Sequence, residues 1–182
     1  MPAFVTRRME PADRPAIEAL LNQEIGSGFW DPSRDLDDIV VIAVEDGRLI
    51  GIASASLELD SLEPTAGPVG HVRIVAVDPS ARRNGVATRL VSEVTAICEG
   101  RGARSLCAYA WVHGQGGIAP LSGALERTGY SLERRIEGFY AGAVVEPCPA
   151  CGRSPCVCPA DVYRRGVSGI KGSHTHRAED AR

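Results

Sequence analysis

The sequence predicts an α/β (α+β) domain with a small cysteine clip near its C-terminus, and three observations carry that prediction. Ile39–Glu45 is an almost unbroken apolar run rich in β-branched residues, followed by the tight-turn signal Glu45-Asp-Gly-Arg48 and a second run, Leu49–Leu59; this reads as a buried strand and its hairpin partner. His71–Leu90 reads as a strand, a turn, a glycine-marked helix start and an amphipathic helix. Four of the six cysteines, Cys148, Cys151, Cys156 and Cys158, crowd into eleven residues.

The remaining elements follow in chain order. Phe4–Arg8 is a short first strand, and Glu10-Pro-Ala-Asp-Arg-Pro opens a helix with Ile17, Leu20 and Leu21 at helical spacing. Asn22–Asp37, with Gly26, Gly28, Phe29, Trp30 and Pro32, reads as a loop or a second short helix. Asp60–Gly70 carries prolines and glycines and is a loop. The strand Val72–Val77 stops at Asp78-Pro79, because proline lacks a ladder donor and turns its predecessor away from helix. Val86, Leu90, Val94 and Ile97 then form one apolar stripe that runs out at Gly100 or Gly102. Ser105–Val112 is a strand, His113-Gly-Gln-Gly-Gly a flexible loop, and Ala119–Thr128 a helix closed by Gly129. Tyr130–Val145 is one or two strands broken near Gly138, and Asp161–Gly166 is the last strand. The layout is therefore a main domain over 1–146, the cysteine loop over 147–159, a final strand over 160–166 and a polar tail over 167–182 that is predicted disordered.

Composition narrows the function classes. At 182 residues, 44% hydrophobic and 24% charged, the chain holds enough apolar material for one sizeable core. Twenty basic against twenty-three acidic residues give a net charge of −3, which argues against a nucleic-acid partner. No apolar run approaches the roughly 20 residues of a membrane span, and Met-Pro-Ala-Phe-Val-Thr-Arg-Arg lacks the apolar core of a signal peptide. The expected location is cytoplasmic. In that compartment clustered cysteines favour a metal over disulfides, while Cys98 and Cys107, inside apolar patterns, read as small buried hydrophobes.

The turn Arg82-Arg83-Asn84-Gly85-Val86-Ala87 places small residues and two guanidinium-bearing side chains at a helix start. Unpaired backbone N–H groups and the positive end of the helix dipole converge there, which makes it an anion site. Gly85 has no Cβ, so a phosphate can approach the main chain. The ordered pattern β-α-(α)-β-β-β-α-β-α-β-β with this turn after the fourth strand resembles the GCN5-related N-acetyltransferase (GNAT) superfamily, whose motif [Gln/Arg]-x-x-Gly-x-[Gly/Ala] matches residues 82–87. Leu125-Glu-Arg-Thr-Gly-Tyr130 echoes the family's helix-then-glycine-aromatic close.

That resemblance implies a mixed, mostly antiparallel central sheet flanked by helices, and acetyl-CoA or a related acyl-CoA as co-substrate. Backbone N–H groups from Arg83, Asn84, Gly85, Val86, Ala87 and Thr88 would hold the pyrophosphate. Val75, Ala76 and Val77 would pair with the pantetheine arm, and a strand N–H near Val75 would polarise the thioester carbonyl. Several members place a glutamate base early on the fourth strand; that position here is His71, whose imidazole can accept a proton near neutrality. The inert reading of His71 is a half-exposed strand-start residue. Many members also carry a tyrosine four residues before the closing glycine of the last helix; counting back from Gly129 gives Leu125, so that acid is absent. Ser122, Tyr109, Tyr130 and Tyr140 lie near the pattern without its spacing. His113 faces the same mouth in this topology, with a solvated loop residue as its plain reading. Arg73, which shares a strand face with His71, would meet an acidic group or a glutamate of the next strand. Phe29 and Trp30 read equally as an acceptor wall or as core plugs.

Cys148-Pro-Ala-Cys151-Gly-Arg-Ser-Pro-Cys156-Val-Cys158 is Cys-x2-Cys-x4-Cys-x-Cys, and its first half resembles a zinc-ribbon knuckle. Four thiolates fill a tetrahedral zinc site and leave no open position, which implies a structural Zn2+. Iron–sulfur ligation and unrelated or redox-active thiols are the alternatives. His174 and His176 in the tail read as solvated. The resulting expectation is a cytoplasmic N-acetyltransferase acting on an amine of a small molecule or protein by direct attack. Its rival is an acyl-CoA sensor or interaction module on the same fold. Exposed edge strands leave room for a homodimer.

Overall fold

The computed structural model describes residues 4–26, 39–59, 67–113, 117–142 and 147–167. Seven strands and three helices are present among them: β1 (Val5–Arg8), α1 (Arg14–Glu24), β2 (Ile39–Glu45), β3 (Arg48–Leu59), β4 (Pro68–Val77), α2 (Val86–Gly100), β5 (Ser105–Trp111), α3 (Ser122–Arg127), β6 (Ser131–Ile136) and β7 (Ala160–Gly166). The strands form one sheet in the order β1-β2-β3-β4-β5-β7-β6. Every pairing is antiparallel except β4–β5, which is parallel and is bridged by the crossover helix α2.

Local chemistry explains most boundaries. The β2–β3 hairpin turns through Asp46 at φ 49° and Gly47 at φ 77°, the paired left-handed geometry that Asp-Gly favours. Arg7 and Asp13 form a forked ion pair, 2.7 and 2.8 Å, that joins β1 to the single 3-10 turn before α1. α2 presents Val86, Leu90, Val91, Val94 and Cys98 to the sheet; Ile97 is only partly buried, and Cys98 takes the last core position of the stripe. β4 begins at Pro68, three residues earlier than the loop reading that ran to Gly70. Gly70 sits where α2 presses on the sheet, since a Cβ there would lie 2.9 Å from both Cys98 Cβ and a Leu106 methyl. α3 is shorter than expected, because Ala119–Leu121 form a turn capped by the Ser122 hydroxyl donating to Ala119 O at 2.7 Å. β6 is one strand, and of the span expected to continue it, residues 143–145 lie outside the described residues.

Two cores flank the sheet. α2 and α3 cover one face, burying Ile39, Val41, Ile50, Ala53, Val72, Leu106, Ala108 and Ala110 among others. α1 covers part of the other through Ile17, Leu20 and Leu21 against Val40, Ile42, Ile52 and Ala76. Thr95 and Tyr130 share a buried hydroxyl–hydroxyl bond of 2.8 Å that ties α2 to the chain leaving α3. Asp161, 3% exposed, is satisfied by Arg135 from the edge strand at 2.7 and 3.0 Å; a paired buried carboxylate of this kind fixes the β6–β7 alignment.

Candidate active site

The site arises where two neighbouring strands part. β3 follows β4 as far as Val77, but β5 pairs with β4 only over Val69–Val72, while its other edge stays paired with β7 along its whole length. A bulge at Arg73, between the pairs Ala55–Val72 and Ser54–Ile74, bends β4 at the point of divergence. A cavity of about 520 Å³ occupies the gap. Val72–Val77 and Ala108–Trp111 form its strand walls, the α2 turn closes one end, and Leu121, Ala124 and Arg127 of α3 flank it.

At the α2 end, Gly85 caps the helix at φ 81° and Arg83 precedes it at φ 64°. The N–H groups of Val86, Ala87 and Thr88 find no acceptor among the described residues, as expected for a first helical turn. A Cβ placed on Gly85 would meet nothing within 4 Å, so the space before the turn is open to a ligand. Arg82 braces the turn: its Nε donates to Val77 O at 3.1 Å and its guanidinium is ion-paired with Glu24 of α1. Asp78 accepts from Ser80 N at 2.9 Å and from Arg48 at 3.0 Å; the Ser80 hydroxyl and N–H, then the Arg48 charge, hold its carboxyl below the usual range. Arg127 reaches across from α3, its Nε donating to Thr88 Oγ1 at 3.3 Å.

On the opposite face of the sheet the side chains change character. Ala108 and Ala110 point into the α2 core, so the alternate residues Tyr109 and Trp111 project the other way. Tyr109 stacks on Phe139 at 4.9 Å, Trp111 lies 6.0 Å from Tyr140, and the Tyr140 hydroxyl donates to Tyr109 O at 3.2 Å. Burial pushes the Tyr140 phenol up to about 12. His113 packs on Trp111 at 4.5 Å; burial first, and then the Arg82 charge, lowers its pKa and favours the neutral imidazole. His113 is therefore a half-buried wall residue and not the solvated loop residue of the plain reading.

Of the ten residues expected to hold the donor, Val75, Ala76, Val77, Arg82, Arg83, Gly85, Val86, Ala87 and Thr88 line the cavity, and Asn84 does not. His71 is not part of the lining; it lies on the aromatic side of the sheet with Nε2 4.0 Å from Glu58. Arg73 lines the cavity and pairs with the same Glu58 at 3.0 Å, the neighbouring-strand glutamate. Leu125 is fully buried in the α2 core. Phe29, Trp30, His174 and His176 lie outside the described residues, as does most of the Asp60–Gly70 loop. Sequence reading missed Arg127, Trp111 and Phe139, and it named Tyr109 and Tyr140 only as tyrosines near the last-helix pattern, not as parts of one wall. The two-residue alternation of Tyr109 and Trp111 was the available signal.

The four clustered cysteines lie between β6 and β7, their sulfurs all within 4.8 Å of one another. Cys148 and Cys158 approach to 3.9 Å, as do Cys151 and Cys156, and all are free thiols. Tetrahedral zinc with Zn–S of about 2.3 Å sets sulfurs roughly 3.8 Å apart, so the donor set fits such an ion. The N–H groups of Val157 and Arg153 bond to Cys151 and lower its pKa, as a knuckle requires. The Trp111 indole Nε1–H is buried and has no hydrogen-bond partner among the described residues. Burial pushes the Cys158 thiol up.

Comparisons with known proteins give a consistent picture. Residues 7–116 match the model of the acetyltransferase (GNAT) family. A search of the curated proteins finds no significant match. Among solved structures, the chain is similar to NAA60 of Arabidopsis thaliana in complex with acetyl-CoA, with 18% identity, a TM-score of 0.70, and coverage of 91% of this chain and 99% of that one. The ribosomal-protein-alanine N-acetyltransferase of Brucella melitensis is similar at 17% identity and a TM-score of 0.67, covering 90% and 99% of the two chains. Nourseothricin acetyltransferase is similar at 22% identity and a TM-score of 0.62, covering 90% and 98%.

Proposed function

The chain belongs to the acetyltransferase (GNAT) family, and from that premise we propose that it moves an acetyl group from acetyl-CoA to an amine presented on the aromatic face of the sheet. Acetyl-CoA-dependent acyl transfer is the general reaction of the family. The observation that carries the reading for this chain is the parting of β4 from β5 beneath an open helix N-terminus, with one cavity running from that turn to the aromatic wall.

In this reading the pyrophosphate takes the N–H groups of Arg83–Thr88, with Arg127 adding positive charge beside Thr88. The pantetheine arm lies along Val75, Ala76 and Val77, and an N–H near Val75 polarises the thioester carbonyl. The neutral amine attacks the carbonyl carbon, the C–S bond breaks, and coenzyme A leaves as a thiolate that takes up a proton. A lysine-like ammonium has a pKa near 10.4, so a base must help. His71 is the base we assign from its place early on β4, on the acceptor side and beside Glu58. His113 is a second candidate, favoured by its position in the lining and its lowered pKa. Coenzyme A thiolate is a fair leaving group, so the leucine at 125 does not block the reaction.

The four cysteines take a structural Zn2+, which supplies cross-linking of the loop between β6 and β7 and no part of the chemistry. The acceptor is an amine of a small molecule or protein, the location cytoplasmic and the edge strands available for a homodimer. Thiol release from acetyl-CoA with a panel of amines tests the reading. Loss of a proton acceptor is expected to cost about 10²–10⁴-fold in turnover, and comparing His71→Ala with His113→Gln identifies which histidine it is. Acetyl-CoA binding without turnover on any amine would assign the chain to the sensor class.

A further inference from the structure

The cysteine cluster is expected to be a structural clip, and its position sets that clip against the cavity. Cys156 itself lines the cavity, together with Trp111, His113 and Tyr140. Trp111 and Tyr140 also pack directly on Cys148, Cys156 and Cys158. The same two aromatic rings therefore face the cavity on one side and the thiols on the other. Two backbone features make the connection stiff. Val112 N donates to Pro159 O at 3.0 Å, and Trp111 pairs with Ala160 as β7 begins immediately after the cluster. The buried Trp111 Nε1–H, which has no hydrogen-bond partner among the described residues, is the polar link, because its ring packs on the cysteine cluster and a metal-bound thiolate there would supply the acceptor.

We propose that the four-cysteine metal centre and the acyl-transfer cavity are one coupled unit: the metal fixes the Trp111–Tyr140 wall, and a ligand filling the cavity holds the metal more tightly in return. The inference rests on the readings that the cavity takes acetyl-CoA and that the thiolates take zinc. Thermodynamic linkage requires the effect to be mutual: whatever metal binding contributes to the shape of the wall, occupation of that wall returns to the metal. A metal that served only to cross-link the β6–β7 loop would be indifferent to the contents of the cavity.

The test uses full-length zinc-loaded protein and follows zinc transfer to a chelating dye, with and without saturating acetyl-CoA, while calorimetry reports acetyl-CoA binding separately. At equilibrium with the dye, zinc is expected to be held about fivefold or more tightly when acetyl-CoA is bound. Trp111→Phe, which keeps an aromatic ring and removes the N–H, is expected to hold zinc about tenfold less tightly and to lose most of the protection. Should that variant not fold, Tyr140→Phe loosens the other ring of the wall by removing its bond to Tyr109 O, and is expected to lose part of the protection. Equal zinc affinity with and without bound acetyl-CoA overturns the coupling. So does protection of equal size in wild type and variant, which would mean general stabilisation of the fold. Absence of acetyl-CoA binding by calorimetry overturns the donor reading and the coupling with it, and failure of the purified chain to hold zinc overturns the metal reading alone and the coupling that needs it.

Discussion

Gly85 combines two constraints at one atom position. Its φ of 81° disfavours any side chain, and the space where a Cβ would stand is open, as the proposed donor route requires. Gly85→Val should therefore cost about 1–2 kcal/mol of stability through backbone strain, and should weaken acetyl-CoA binding by more than tenfold in a calorimetric titration. Removing Arg127, which lies beside Thr88, should weaken binding by a smaller factor without unfolding α3. His113 contributes a pH dependence of definite sign. Its folded pKa is lowered by burial and by Arg82, so the unfolded chain binds a proton more readily. The associated stability is fully present above about pH 6.5 and is lost as pH falls through the lower folded value. Thermal midpoints measured from pH 8 to 5 should fall more steeply for the wild type than for His113→Gln.

At the scale of elements, the parts that repeat with a clear period were legible and those that depend on partners were not. Ile39–Glu45, the Asp-Gly hairpin and the α2 stripe carry their own signals, because burial on a strand or a helix face imposes spacing on apolar residues. The glycine turn between β4 and α2 was legible as well, since Asp78-Pro79 ends the strand and the apolar stripe of the helix begins after Gly85. The start of β4 at Pro68 was hidden by the prolines and glycines around it; pairing with β3 overrides that local bias. The aromatic wall was hidden for a different reason: Phe139 and Tyr140 meet Tyr109 and Trp111 only after β6 and β7 fold back onto β5. The loop of residues 147–159 has little apolar content besides its cysteines, so its order should depend on the metal. Stripping zinc should lower the thermal midpoint and raise hydrogen exchange in β7 before it does so in α2. An unchanged midpoint would remove the structural role.

The whole molecule is organised around one discontinuity in an otherwise continuous sheet. α2 and α3 cover one face, α1 with aromatic and charged side chains marks the other, and the parting of β4 and β5 opens the cavity between them. Filling that gap is what the fold is arranged to permit, and Leu90 at the centre of α2 is among the fully buried residues that support it. Leu90→Ala should cost about 2–5 kcal/mol, read as a lowered denaturation midpoint, with the donor turn disturbed only indirectly. The most direct test of the central claim is amine-dependent release of coenzyme A from acetyl-CoA, measured side by side for the wild type and Gly85→Val. The account predicts release by the wild type with at least one amine and near-background release by the variant at the same acetyl-CoA concentration. Equal release by the two proteins, or wild-type protein that neither binds nor turns over acetyl-CoA, would contradict it.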